Sequence, residues 1–427
     1  MKPGTVCVAL AAGAAMAAPP QLKKAAKAKF DVVSTRLPFL MLGPMMGLLK
    51  SKTEVICGAG SSKQIPEILK KAKISKAMIV TGPTVGRIIV PAIAEKLTAT
   101  GIPYVIYDQV EENPSVDTVE AIRKRYIAEQ CDGFLAVGGG SPIDAAKGAG
   151  ARIVRPNKPI QKMAGAMKIM KAIPPLVAVP TTAGTGSEVT MGAVISDHAA
   201  HHKYAILDPS VDPVYAVLDP ALTVSMPPFV TATTGIDALT HAVESYVTWT
   251  WNTNETNRLA EEAIVDIFAF LETAYQDGNN LAAREKMLYA SYKAGLAMSS
   301  GLGYVHALAH AIGGLYNTAH GLANAVILPI VLEDYGDAVY PQLAHLAHIT
   351  GIRTDGTEAE KAKAFIAAVR GLNQRLGLPT GFDFIKEEDF DQIITWALEE
   401  ENGNYPVPVL WDRTHCRHVL NRIVLET

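Results

Sequence analysis

The stretch "GFLAVGGG", residues 133–140, runs directly into "SPIDAAKG", residues 141–148. Five uncharged residues are followed by three consecutive glycines, a serine and a proline, and then by helical spacing. An unbroken apolar run of this length suits a strand buried on both faces, as in a parallel sheet covered by helices. The spacing predicts a strand ending in Gly138-Gly139-Gly140, with Ser141 as helix cap, Pro142 at the first helical position and Asp144 in the first turn. Glycines let an anion approach backbone amides, and a helix N-terminus adds favourable partial charge. A strand-to-helix turn alone needs fewer than three glycines, so the loop reads as a phosphate cradle.

Outward from this loop the same grammar repeats. "KAMIVTG" (76–82), "IPYVIYD" (102–108) and "PPLVAVPTT" (174–182) are further apolar runs ending in small or polar residues. Between them lie "PAIAEKLTATG" and "DTVEAIRKRYIAEQ", which have helical spacing. Such alternation predicts a doubly wound α/β domain. The run at 174–182 enters a second loop of small residues, "PTTAGTGSEVT" (180–190), whose Thr181, Thr182, Thr185 and Ser187 offer hydroxyls to a polar ligand. "GAGSSK" (58–63) starts like a dinucleotide fingerprint but lacks its third glycine. Where a nucleotide site often keeps an acid for the ribose 2′-hydroxyl, at the end of the 76–82 run, this chain has Gly82. With no carboxylate there to repel a 2′-phosphate, NADP is expected to be accepted as well as NAD.

After "LTVSMPPFV" (222–230) the character changes. Helical spacing covers 232–247, 254–275, 281–299, 301–315, 321–335, 338–349, 358–375 and 387–400, and strand-like runs become scarce. A chain of 427 residues is long for one hydrophobic core. The expected organisation is an N-terminal extension over 1–51, an α/β dinucleotide-binding domain over 52–226 and an all-α metal-binding and catalytic domain over 227–427. The site is expected between the last two.

The helical half contains "YVHALAHAIGGLYNTAHGLANA", residues 304–325, with three histidines in an otherwise apolar run. His306 and His310 are four apart, as are Asp237 and His241 in "GIDALTHAVE" (235–244), so each pair shares one face of a helix. On one continuous helix His320 would lie about 21 Å along the axis from His306, too far for one ion to bridge. The chain must therefore break, and Gly313-Gly314 followed by "YNTAHG" gives it the means. Asp237, His241, His306 and His320, with His310 as an alternate, then form a one-carboxylate, three-imidazole set suited to a borderline divalent ion. His198, His201 and His202 read as an exposed hairpin tip. His345 and His348 fit a helix face, and His415 and His418 have no acid spaced to help them.

Composition bounds the rest. A hydrophobic content of 49% and a formal charge of −3 describe an ordinary globular chain and exclude a strongly basic nucleic-acid binder. Cys7, Cys57, Cys131 and Cys416 form no CxxC pair, so a thiolate metal site or disulfide frame is not expected. Residues 1–30 hold five lysines and no acid, with "AMA" at 15–17 resembling a signal-peptidase site; this is either a targeting segment or an Ala/Lys extension. "LPFLMLGPMMGLL" (37–49) is too short for a membrane span and is broken by prolines, so a short packed helix or hairpin is expected.

Taken together, "GGGSPIDAAK", "PTTAGTGSE", "GIDALTHAVE" and "YVHALAHAIGGLYNTAHGLANA" resemble the iron-containing alcohol dehydrogenase family in order and spacing, over about residues 52–425. The resemblance implies metal ligation by Asp237, His241, His306 and His320, and places His310 beside substrate and nicotinamide as the candidate proton relay. It implies cofactor contacts at Gly139, Gly140, Ser141, Thr181, Thr182, Asn113 and Lys203. Gly82 departs from the aspartate that many members carry, which bears on NAD against NADP. The expected enzyme is a metal-dependent alcohol dehydrogenase or aldehyde reductase using iron, or else zinc, with NAD or NADP and a small primary alcohol or aldehyde. A soluble, cytoplasmic homodimer without nucleic-acid or membrane partners is expected, with organelle import or export as the alternative location. The rival readings are a hydroxyacid–oxoacid transhydrogenase, a dehydroquinate-synthase-like or polyol-phosphate enzyme, and a non-catalytic nucleotide binder. The phosphate- and polyol-directed rivals call for lysines and arginines beside the ligands, and the ligand segments are short of both.

Overall fold

A computed structural model describes Arg36 and residues 51–198 and 202–425. The expected targeting segment and packed helix within 1–51 lie outside these residues but for Arg36 and Ser51, as does His201. The first half runs β1 (Glu54–Cys57), α1 (Ile65–Lys71), β2 (Ala77–Val80), α2 (Pro83–Ile88), α3 (Val90–Ala99), β3 (Tyr104–Tyr107), α4 (Val116–Ala128), β4 (Gly133–Gly138) and α5 (Gly140–Val154). It continues with β5 (Gly165–Ala166), β6 (Leu176–Pro180), β7 (Gly192–Asp197), β8 (His202–Leu207) and β9 (Tyr215–Leu218). Six strands form a parallel sheet in the order β1-β9-β6-β4-β2-β3, and β5-β8-β7 form a small separate one.

The apolar runs are unbroken because both faces of this sheet are covered. Met78, Val80, Phe134 and Ala136 pack with Val119, Ile122 and Ala149 of α4 and α5. Ala77, Ile79, Leu135 and Val137 alternate with them and meet Ile65, Leu69, Ile93 and Leu97 of α1 and α3 on the other side. The chain leaves β2 for the edge strand β3 and returns to the opposite side of β2 as β4. That reversal opens a crevice at the strand C-termini, bounded by Gly82 and Gly139.

The second half runs α6 (Pro228–Val247), α7 (Asn254–Gln276), α8 (Leu281–Ala297), α9 (Tyr304–Tyr316) and α10 (His320–Tyr335). It ends with α11 (Tyr340–Ile349), α12 (Glu358–Arg375), α13 (Phe390–Asn404) and α14 (Arg413–Ile423). Its core joins Leu239, Ile264, Ile267, Leu328, Phe365 and Val419. No helix among the described residues is long and apolar enough to cross a membrane. The sequence reading stopped at residue 400 and missed α14. That helix buries Cys416, Val419, Leu420 and Ile423, spaced at i, i+3, i+4 and i+7, behind a strongly polar outer face. His415 is not without an acid: its Nε2 lies 2.7 Å from Asp334 Oδ2.

Two local expectations need correction. The helix after the triple glycine starts at Gly140, with Gly139 as cap and no side-chain cap bond, so Ser141 does not cap and Pro142 is not first. In α9 the helix passes through Gly313-Gly314 and stops at Asn317, which takes the left-handed conformation at φ 51°. The break therefore falls inside "YNTAHG". Gly313 serves another end: a Cβ there would lie 2.9 Å from Lys203 Nζ.

Candidate active site

The triple-glycine loop and the threonine loop stack on each other. A Cβ on Gly139 would sit 3.2 Å from Thr182 Oγ1, and one on Gly140 only 2.8 Å from Thr185 Cγ2. The glycines thus let two loops close over one spot at the strand ends. Ser141 Oγ accepts the backbone N–H of Asn113 at 3.3 Å, and Lys203 donates to Asn113 Oδ1 at 2.9 Å. Burial pulls the Lys203 ammonium down to about 8, against Glu112 and Glu400. Gly139, Gly140, Ser141, Thr182, Asn113 and Lys203 line a cavity of about 760 Å³. Thr181 is buried below it, its N–H on Gly138 O at 2.9 Å. Gly82 stands away from the lining, and a Cβ there would lie 2.9 Å from the Val110 carbonyl. A side chain at 82 is therefore opposed by backbone, a reason for glycine unrelated to the ribose.

Asp144 and Lys147, which follow the triple glycine on α5, serve the packing of the protein itself. Lys147 is fully buried and donates to the carbonyls of Ser187, Thr190 and Gly192, each at 2.7 Å. Asp144 accepts from Ser187 Oγ at 2.6 Å and from Val194 N–H at 2.9 Å. A buried cation and anion with their hydrogen bonds thus clamp residues 187–194 onto α5. The "GAGSSK" loop is likewise taken by the protein itself, because Gly60 and Ser62 N–H donate to the Asp219 carboxylate.

The same cavity is lined by Asp237, His241, His306, His310 and His320. One donor atom from each of Asp237, His241, His306 and His320 falls within 4.8 Å of the others. Asp237 Oδ1 is 3.9 Å from His241 Nε2 and 3.5 Å from His320 Nε2. Donors of a tetrahedral ion with bonds of about 2.1 Å stand roughly 3.4 Å apart. The group fits a divalent ion in donor chemistry and, with modest contraction, in spacing. Gly321 makes the convergence possible: a Cβ on it would fall 2.3 Å from Thr233 O, so α10 can lie against α6 and bring His320 to Asp237.

Three of the four imidazoles, His241, His306 and His310, are held by the far nitrogen. His306 Nδ1 lies 2.5 Å from Glu244 Oε2, His241 Nδ1 lies 3.3 Å from Gly184 O, and His310 Nδ1 lies 2.7 Å from Glu400 Oε1. With Nδ1–H donating, the Nε2 lone pair of each ring faces the cavity, as in carboxylate–histidine–metal arrangements. Burial and neighbouring imidazoles hold His306 and His320 well below the ordinary histidine value, so both are neutral and ready to ligate near pH 7. Burial pushes Glu244 up to about 8, and a cation nearby acts in the opposite sense. The sequence reading missed Glu244 and Glu400. Glu244 lies seven residues after Asp237, on the same face of α6, and this spacing was a usable signal; nothing in sequence linked Glu400 to His310, ninety residues away.

Comparison with known proteins follows this geometry. The model of iron-containing alcohol dehydrogenases matches residues 52–220, and that of the family's C-terminal domain matches residues 231–424. The chain is 34% identical to the NAD-dependent methanol dehydrogenase of Bacillus methanolicus, over 81% of this chain and 91% of that one. It is 34% identical to the lactaldehyde reductase of Escherichia coli, over 84% and 96% of the two chains. A solved 1,3-propanediol oxidoreductase superposes with a TM-score of 0.83 at 35% identity, covering 86% of this chain and 97% of the other. Its parallel sheet joined to a helical domain is also the arrangement found here. The chain belongs to the iron-containing alcohol dehydrogenase family and is an alcohol/aldehyde oxidoreductase.

Proposed function

We propose that this protein interconverts small primary alcohols and aldehydes, with residues 52–226 binding the dinucleotide and residues 227–427 holding the metal. The observation that carries the reading is the convergence of Asp237, His241, His306 and His320 beside His310, in one cavity with the two glycine-containing loops. The family uses NAD and a divalent ion, iron in its name. Such an ion supplies Lewis acidity, lowering the pKa of an alcohol oxygen and polarising a carbonyl. Asp237, His241, His306 and His320 hold it, while Glu244 and the Gly184 carbonyl keep two of the rings turned inward. Gly139, Gly140, Ser141, Thr181 and Thr182 form the pyrophosphate end of the cofactor site. Asn113 and Lys203 flank the cofactor nearer the metal. His310 accepts the alcohol proton at Nε2, held in register by its Nδ1–H on Glu400. The named relatives are a methanol dehydrogenase, a lactaldehyde reductase and a 1,3-propanediol oxidoreductase, which supports a small substrate here.

Backbone crowding already accounts for glycine at 82, yet no carboxylate stands there to repel a 2′-phosphate, which supports use of NADP alongside NAD. We further propose a cytoplasmic homodimer, which light scattering and cell fractionation test. The functional test is turnover of a panel of short primary alcohols and aldehydes with both cofactors, with and without a chelator. Activity lost on chelation and restored by Fe²⁺ or Zn²⁺ is expected. Chelator-insensitive turnover, or none on any member of the panel, would overturn the assignment, and strict NAD dependence would remove its NADP component.

A further inference from the structure

Three helices each direct a pair of polar side chains, four residues apart, at the same spot: Asp237 and His241 from α6, His306 and His310 from α9, His320 and Asn324 from α10. Five of the six have a place in the function proposed above. Asn324 does not, yet it is fully buried and its Nδ2 lies 2.7 Å from Asp237 Oδ1, 3.2 Å from His320 Nε2 and 3.4 Å from His306 Nε2. It therefore touches three of the four donor atoms. Its own Oδ1 is buried without a hydrogen-bond partner among the described residues. A buried amide oxygen left unpaired carries a desolvation cost, so the amide is not seated for its own satisfaction. Turning it over would set its oxygen against the Asp237 oxygen, acceptor to acceptor, so the carboxylate fixes which side faces inward.

We propose that Asn324 is a positioning residue of the metal centre: its N–H pins the Asp237 carboxylate in register with the three imidazoles and so governs how tightly the ion is retained. The inference rests on the four-ligand reading above and adds to it a residue outside that set. A ligating carboxylate held by an outer hydrogen bond gains order before the ion arrives, and loss of such a partner typically weakens metal binding about 10–100-fold. The spacing rule that paired Asp237 with His241 points here too, because Asn324 stands one helical turn beyond His320.

The test uses the full chain loaded with Zn²⁺ or Co²⁺ and challenged with a chelator. Asn324→Leu keeps the branched shape with somewhat more bulk and removes the donor; Asn324→Ala removes the donor and makes no steric demand. Both should release the ion at about 10–100-fold lower chelator concentration. The visible bands of the Co²⁺ form should shift, with circular dichroism unchanged. Retention and spectrum equal to the unsubstituted protein in either folded variant would overturn the role of Asn324. Asp237→Ala serves as the reference. If it loses the ion while the Asn324 variants keep it, only the Asn324 inference falls; if it keeps the ion, the four-ligand reading falls first.

Discussion

The two walls of the cleft are built on opposite plans. On the α/β side the lining is backbone and small side chains: Gly139 and Gly140 are where they are because Thr182 and Thr185 lie directly against them. On the helical side the lining is polar side chains repeated at one turn of helix, with Asp237, His306 and His310 each fixed by a hydrogen-bond partner. A dinucleotide presents phosphate oxygens that backbone amides can meet at close range, so bulk must be removed to admit it. An ion presents a point, so side chains must be extended and aimed. Substitutions on the first wall should therefore act through space, and those on the second through direction.

Substitutions separate these plans by size of effect. His306→Ala should abolish turnover and yield protein without stoichiometric metal on elemental analysis, the largest effect expected. His310→Ala should lower turnover by about 10²–10⁴-fold with metal content unchanged; metal loss would make it a ligand instead. Glu244→Gln leaves the ligands in place and removes one orienting charge, so chelator titration should show metal affinity weaker by about 10–100-fold. On the other wall, Gly140→Ala pushes a methyl into Thr185; we expect about 1–3 kcal/mol of lost stability by thermal melting and a raised KM for NAD, with metal content intact. The smallest effect concerns pH. Lys203 loses its charge as pH rises through about 8, so KM for NAD should climb by a few fold between pH 7 and 9. Lys203→Arg stays charged over that range and should flatten the rise.

Much of this plan was legible in the residues. Strands buried on both faces announce themselves as unbroken apolar runs, and β2, β3, β4 and β6 fall within the four that were read. The hairpin of β7 and β8 was read only at its tip, from His198 and His202, and β1 and β9 were not read; β1 is an edge strand with Glu54 and Cys57 exposed at its ends, so no long apolar run marks it. On the helical side the i, i+4 rule located Asp237, His241, His306 and His310, whereas bringing in His320 required a chain reversal. The need for that reversal followed from helical rise; its position at Asn317 did not, since glycine is the commoner left-handed residue and two were on offer. Function and packing were hardest to tell apart in the motifs. Asp144 and Lys147 sit in a stretch that reads as a phosphate loop, yet Lys147 donates to backbone carbonyls and Asp144 accepts from a hydroxyl and a backbone N–H, all forty or more residues away. Only a fold shows that.

The Gly184 carbonyl belongs to the α/β half, while the ring it holds, His241, belongs to the helical half. Gly184 and Gly186 also press against Thr234 and Gly295 across the same boundary, close enough that neither tolerates a Cβ. A swing of one half away from the other, of the kind that would let a bulky coenzyme in or out, has to pull this carbonyl off the imidazole. The aim of one imidazole at the ion therefore depends on how closely the two halves stay packed.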